Sequence, residues 1–384
     1  MNIALLLAGQ GTKFSEQVVN LWLANNETLS LIEKAEAQLG EPIREWFAQD
    51  LSKDTRKAQL ATYVGSMCMY RLYRDQVGLY PSVVLGHSLG ELTALTIAGA
   101  FDYEAGLTLV ELRGSAMKGA IERQEQTGMM ALFVASEMIE ELLEGNVRIA
   151  NYNSNKQTVI SGPIDEIQLF AKKHKFESVV LNVSGAFHTP YMQQAADEVY
   201  EKLEGFTFNS DLSMTVVSNK NVGPYHTENF KEEIANQIVQ PVKWKQSIDY
   251  AINQGIQLFV DLSPNGMFVN MLAGQAVVRP FHTEEHIKAL LTDLKDDIEV
   301  NGHYNLYSRA LGIIVSTKNN SDDADAYENI VVSGYNQIKS QIGHVPTADD
   351  VKKTLSLLKL ILQTKEVPEE QINSYCSKLA WKVG

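Results

Sequence analysis

Pro81-Ser82-Val83-Val84-Leu85-Gly86-His87-Ser88-Leu89-Gly90-Glu91-Leu92 is an apolar run that stops at a Gly-X-Ser-X-Gly sequence and continues into a helix-forming stretch. The pattern reads as strand, sharp turn, helix. Such a turn holds Ser88 in a strained backbone conformation. Gly86 and Gly90 are required there because a Cβ at either place would collide with the neighbouring strand or helix. The serine hydroxyl is lifted to the top of the sheet. The helix that begins near Leu89 then points backbone N–H groups and its positive dipole end at whatever Ser88 attacks. A glycine-bounded turn with a chance serine would carry the same five residues, so the flanking strand and helix carry the elbow reading.

Working outward, Asn2 to Ala8 reads as a buried first strand that ends in the loop Gly9-Gln10-Gly11-Thr12. If that loop lies beside the elbow, its N–H groups are candidates for an oxyanion hole. Apolar residues at helical spacing place helices over Glu16–Leu39, Ala58–Val77, Leu92–Ala98 and Tyr103–Ala120. Arg113 falls in the last of these, between Leu112 and Met117. It is either a surface arginine with its stem along the helix or a buried guanidinium that grips a carboxylate through two parallel hydrogen bonds.

Residues 129–184 have their own rhythm. Strands are expected at Met129–Val134, Val147–Asn151, Thr158–Ser161 and Ser178–Val183, and helices at Glu137–Leu143 and Ile164–His174. That βαββαβ order is the order of a ferredoxin-like unit, inserted into a larger α/β domain. The insertion ends at Ser184-Gly185-Ala186-Phe187-His188-Thr189-Pro190, before a further helix. Of the eight histidines, His188 is the best placed to reach Ser88 as a base. His174, His226, His282, His286, His303 and His344 are expected to be solvent-exposed, and His87 to point away from the serine. No Asp or Glu stands out as the acceptor that orients His188, so a backbone carbonyl is the expected substitute. Strand and helix go on alternating through Leu212–Ser218, Phe230–Gln240, Trp244–Gly255 and Leu258–Leu262, which implies a mostly parallel sheet covered on both faces. The fold class is therefore α/β: a hydrolase-like large domain (1–127 and 185–295), a ferredoxin-like subdomain (128–184) and a helical C-terminal extension (296–384).

Composition limits the partners. A chain of 384 residues with 45% hydrophobic and 21% charged residues buries a sizeable core. The formal net charge of −14 argues against nucleic acid or an anionic membrane as a partner. Cys68 and Cys376 are too few for a disulfide framework or a cysteine metal site, so no metal is expected and a cytoplasmic setting fits. No apolar run approaches the roughly 18 residues of a membrane span, and Ile3–Leu7 is too short for a signal-peptide core.

Several motifs then stand in register: Gly9-Gln10-Gly11, Ala58-Gln59-Leu60-Ala61, Gly86 to Glu91, Glu111-Leu112-Arg113-Gly114, Gly185-Ala186-Phe187-His188 and Gln237 to Trp244. In order and spacing, about residues 1 to 290 resemble the malonyl-CoA:acyl carrier protein transacylases, and the Gly-Ala-Phe-His version most resembles the trans-acting acyltransferases of polyketide synthases. The resemblance implies that Ser88 is acylated, that His188 is the general base and then acid, and that Gln10 and Leu89 are the oxyanion donors. It implies that Arg113 anchors the malonyl carboxylate, that Gln59 lines the pocket, and that the Gln237 carbonyl orients the histidine. Phe187 would crowd an α-methyl and so favour malonyl over methylmalonyl. The implied reaction is ping-pong and needs no bound cofactor: malonyl-CoA loads the serine, and the phosphopantetheine thiol of an acyl carrier protein takes the group. A monomer is also implied. The alternatives are a transferase for a substituted malonyl unit and an acyl hydrolase that clears stalled carriers, which Arg113 disfavours because a guanidinium penalises an apolar acyl group. An ordinary esterase would need an acid between serine and histidine, where the ferredoxin-like block lies. The sequence assigns no role to the C-terminal extension.

Overall fold

The two apolar runs that end in glycine loops, Ile3–Leu7 (β1) and Val83–Gly86 (β2), lie side by side in parallel, with Leu7 opposite Gly86. Every residue of both strands is buried, because helices cover both faces of the sheet and leave no face for polar side chains. The computed structural model describes residues 1–380 apart from Thr12, Gln124, Glu125, His303, Tyr304, Asn305 and Val345. The expectations for Thr12 and His303 fall outside the described residues.

The remaining strands are Thr127–Leu132 (β3), Arg148–Ser154 (β4), Gln157–Pro163 (β5), Ser178–Val180 (β6), Thr215–Val217 (β7), Leu258–Asp261 (β8) and Val278–Pro280 (β9). One sheet has the order β7-β2-β1-β8-β9 with parallel pairings throughout. The chain builds it outward from β1 on one side, then returns to build the other. Loops after strands that diverge in this way leave a crevice at the carboxyl ends. The second sheet, β4-β5-β3-β6, is antiparallel, with Ile164–His174 packed on it through Ile167, Phe170 and Ala171. It is the ferredoxin-like insertion, and the mixed α/β architecture is as expected.

The chain divides into two compact units: Met1–Tyr73 with Pro81–Leu290, which holds both sheets, and Arg74–Tyr80 with Leu291–Gly384. The second unit is helical and has its own core of Leu306, Tyr307, Leu358, Ile361 and Ile372 among others. Inside it the buried Lys365 Nζ donates to the carbonyls of Ile314 and Thr317, the unmet acceptors at the end of the helix Leu306–Ser316. No helix among the described residues is long and apolar enough to cross a membrane.

Local departures from expectation have physical causes. The helix over Glu16–Leu39 is broken at Asn25, whose side chain caps a second helix by accepting from Glu27 and Thr28 N–H. The helix over Glu137–Leu143 is instead two 3₁₀ turns, Ser136–Met138 and Glu140–Leu142. Seven residues with no side-chain cap are too few to propagate an α-helix. His226 and His344 are exposed as expected, but His174, His282 and His286 are half-buried. His174 stacks between Phe170 and Phe176, and the rings of His282 and His286 pack together beside Gly266.

A Cβ on Gly86 would lie 1.9 Å from the Gly90 backbone, whereas one on Gly205 meets nothing within 4 Å. Gly86→Ala is therefore expected to cost about 3 kcal/mol of stability and Gly205→Ala less than about 0.5. Equal urea midpoints for the two variants would contradict this packing.

Candidate active site

Ser88 occupies the turn between β2 and the helix Gly90–Ala98 at φ +53°, a left-handed conformation that a non-glycine residue rarely adopts. The turn is locked from both sides. A Cβ at Gly90 would lie 2.5 Å from the Leu7 carbonyl, so the helix start is pressed onto the end of β1. The Ala8–Gly11 loop after β1 consequently runs against the elbow, and a Cβ at Gly9 would lie 2.8 Å from the His87 carbonyl. Neither the Leu89 N–H nor the Gln10 N–H donates a hydrogen bond among the described residues. Both residues flank Ser88, one by sequence and one through the parallel register of β1 and β2.

The Ser88 hydroxyl donates to His188 Nε2 at 2.7 Å. His188 Nδ1 must carry the ring proton, because it meets the Gln237 carbonyl at 2.9 Å and a carbonyl only accepts. Its backbone N–H donates to the Ile238 carbonyl at 3.1 Å. The helix Phe230–Gln237 stops short of the expected Gln240, just before Pro241, which leaves the Gln237 and Ile238 carbonyls at its end without a helical donor among the described residues. His188 supplies the donors. The negative end of that helix dipole then faces Nδ1–H and would favour an imidazolium if Nε2 took up a proton. A helix terminus thus takes the place of the orienting acid. Burial, with the charge of Arg113 second, lowers the His188 pKa to about 3, so the resting imidazole is neutral and ready to accept.

Arg113 is buried, 1% exposed, on the helix Tyr103–Glu122. Nη1 donates to Gln59 Oε1 at 2.6 Å, and Nη2 to Gln237 Oε1 at 3.0 Å and to Ser88 Oγ at 3.5 Å. Its Nε–H has no partner among the described residues. No carboxylate is in contact with it among the described residues. Burial lowers its pKa to about 10, opposed by the charge of Glu91. Gln59 in turn donates to Gln10 Oε1 at 3.2 Å. The structure therefore holds a buried cation with neutral amide oxygens beside the nucleophile candidate, an arrangement that invites an anion.

These groups open onto a cavity of about 350 Å³. Gly9, Gln10, Ser88, Arg113, Phe187 and His188 line one side, and Met129, Ala131 and Val159 of the antiparallel sheet line the other. Met267 and Met271 close it from the short helix Met267–Met271 after β8. The start of that helix is pinned by the buried Asp261 carboxylate, which accepts from Ser263 and Phe268 N–H at 2.8 Å each. All eight residues singled out in the sequence are brought together, directly or through Gln59. The sequence reading overlooked Asn151, Asn153 and Asn219. Asn151 and Asn153 meet His87 Nε2 at 3.2 and 3.0 Å and turn that ring away from Ser88. Their sequence signal was an asparagine at every second position of one strand, Asn151-Tyr152-Asn153, where buried apolar residues are the norm.

A family model described as acyl transferase domain matches residues 16–310. The polyketide biosynthesis malonyl CoA-acyl carrier protein transacylase PksC of Bacillus subtilis (strain 168) is 35% identical over 281 residues, covering 70% of this chain and 96% of that protein. A malonyl CoA-acyl carrier protein transacylase of Bacillus subtilis is 26% identical over 395 residues, covering 96% of this chain and 97% of that protein. Among solved structures, a chain from a type II polyketide synthase acyl-carrier protein in complex with its malonyl-transacylase aligns with TM-score 0.69 at 25% identity. That match covers 76% of this chain and 100% of the solved one. The full-length match corrects one expectation: likeness does not stop near residue 290 but runs on through the C-terminal extension.

The lowered pKa of His188 has a consequence for stability. An unfolded histidine titrates near 6.5, so from there down to about 3 the unfolded chain takes up a proton that the folded ring refuses. Stability from this residue is present above about pH 6.5 and lost as pH falls. Between pH 7 and 5, wild type is expected to lose about 2 kcal/mol more than His188→Gln in urea unfolding. Equal losses would show that the ring is not held neutral.

Proposed function

This chain belongs to the acyl transferase domain family, and from that premise we propose that it moves a malonyl group from malonyl-CoA to the phosphopantetheine thiol of an acyl carrier protein. The observation that carries the choice of acyl group is the guanidinium of Arg113, which touches no carboxylate among the described residues and bonds to two amide oxygens and, at 3.5 Å, to Ser88 Oγ. A malonyl thioester carries its free carboxylate one methylene from the reacting carbonyl, which suits an anchor adjacent to the nucleophile. The planar fork of arginine binds that carboxylate through two parallel bonds.

In the first half-reaction Ser88 Oγ attacks the thioester carbonyl as His188 Nε2 takes its proton. The negative oxygen that forms is received by the N–H groups of Leu89 and Gln10. Collapse expels the CoA thiolate, which takes the proton back from His188, and leaves an O-malonyl serine. In the second half-reaction His188 removes the proton of the carrier thiol, whose sulfur attacks the serine ester. The serine oxygen leaves with that proton. Arg113 holds the acyl group still between the two halves, and the buried ring of Phe187 at the cavity wall disfavours an α-methyl. Service to a polyketide synthase in trans is supported by the Gly-Ala-Phe-His sequence and by the likeness to a polyketide biosynthesis transacylase.

Intact-protein mass spectrometry after mixing with malonyl-, methylmalonyl- or acetyl-CoA tests the proposal. Wild type is expected to gain a malonyl adduct that is absent in Ser88→Ala. The adduct should form at least about 100-fold more slowly in Arg113→Ala, with no rescue in Arg113→Lys. Phe187→Ala is expected to admit methylmalonyl. Loading of acetyl but not malonyl, followed by rapid hydrolysis, would overturn the transferase and favour the acyl hydrolase.

A further inference from the structure

Asn219, in the loop after β7, is 2% exposed and bonds to the elbow and its surroundings through both its main chain and its side chain. Its Oδ1 accepts from Ser88 N–H at 2.8 Å and its Nδ2 donates to the Gly86 carbonyl at 2.7 Å. The carboxamide therefore bridges a backbone donor and a backbone acceptor two residues apart across the turn. Its own backbone is anchored at both ends: the N–H donates to Glu91 Oε2 at 2.8 Å, and the carbonyl accepts from Lys243 N–H at 2.9 Å. Glu91 lies in the first turn of the helix that follows Ser88, so the clamp and the helix start form one closed hydrogen-bonded ring. Residues held in sparsely populated backbone regions persist only where surrounding contacts over-determine them, and Ser88 at φ +53° is such a residue.

We propose that Asn219 is a positioning residue for Ser88: its carboxamide fixes the left-handed turn so that the serine hydroxyl points at His188 Nε2. This rests on the reading of Ser88 as the nucleophile. Asparagine is specified by chemistry. The side chain must present one acceptor and one donor on a planar group at the spacing of Ser88 N and Gly86 O. Aspartate keeps the acceptor but sets a second acceptor against a carbonyl, serine is too short to span both, and leucine offers neither.

The test labels Ser88 with a fluorophosphonate, in which the serine oxygen displaces fluoride, and with malonyl-CoA, following both by mass. Asn219→Ala is expected to react about 100-fold more slowly with both reagents, at unchanged KM for the thioester, the loss that follows when a reacting atom is misplaced by about an ångström. Asn219→Asp is expected to be as slow at pH 8 and to recover relative to wild type as pH falls, because the protonated carboxyl regains a donor for the Gly86 carbonyl. Glu91, Glu233, Lys220, Lys243, Arg113 and His188 carry the other ionisable side chains around this loop, so each rate is taken as a ratio to wild type at the same pH. A role limited to stability would give no such recovery. Asn219→Ala at the wild-type rate, or Asn219→Asp slowed by the same factor at every pH, overturns the inference. If the alanine variant does not fold, the pH ratio of the aspartate variant decides alone. A wild-type chain whose Ser88 takes neither label overturns the nucleophile reading and this inference together.

Discussion

The helix Gly90–Ala98 leaves the parallel sheet where there is no room for a Cβ, and the rest of the site follows from that contact. Gly86 touches the Gly90 backbone, and Gly90 touches the Leu7 carbonyl. With three backbones in van der Waals contact, the ends of β1 and β2 and the start of one helix become a single rigid corner. The corner fixes the strained turn at Ser88. It also brings the Leu89 amide, at the helix start, near the Gln10 amide, at the end of the neighbouring strand. Close packing of backbone here does what side chains do elsewhere, and it admits only glycine at the points of contact.

Around that corner the protein places charge sparingly. His188 is kept neutral by burial and oriented by a helix C-terminus, and Arg113 is kept charged without a contacting anion among the described residues. The charge of Glu91 acts on Arg113, yet burial raises the Glu91 pKa to about 8, so it is a poor permanent counter-ion near neutral pH. The polar network of Gln10, Gln59 and Gln237 solvates the guanidinium with dipoles rather than charge. Dipoles hold a side chain in place and leave its charge unspent. A carboxylate ligand can therefore gain more here than it would beside an ion pair already formed.

The large features of this arrangement are legible in the sequence because they depend on local pattern. Apolar runs ending in glycine gave β1, β2 and the elbow, and alternation of strand and helix gave the parallel sheet. The insertion was legible from its βαββαβ order, although its first helix was not: Glu137–Leu143 carries apolar residues at plausible spacing but is too short and uncapped to be an α-helix. His188 could be picked from its position at the return from the insertion. Its buried state and low pKa could not, since the first arises from packing remote in sequence and the second from that burial and then from the charge of Arg113. Asn219 was invisible for the same reason. Its function lies in hydrogen bonds to Gly86, Ser88 and Glu91, more than 120 residues away, and no local pattern marks an asparagine in a loop as different from its neighbours. The half-buried histidines were misjudged because polar neighbours in sequence do not report the aromatic rings that stack on His174.

The two charges of the site are coupled in a way that bears on selectivity. Arg113 is the second largest cause of the low His188 pKa, after burial. An acyl group with a free carboxylate would neutralise Arg113 and so remove that part of the depression, making Nε2 a stronger base when it must deprotonate Ser88 or the incoming thiol. An acetyl group leaves the guanidinium uncompensated and the imidazole a weak base. On the reading proposed above, the carboxylate then acts twice, once in binding and once in tuning the proton acceptor. Discrimination against acyl groups that lack it is larger than the ion pair alone would supply, and it falls on the chemical step as well as on affinity.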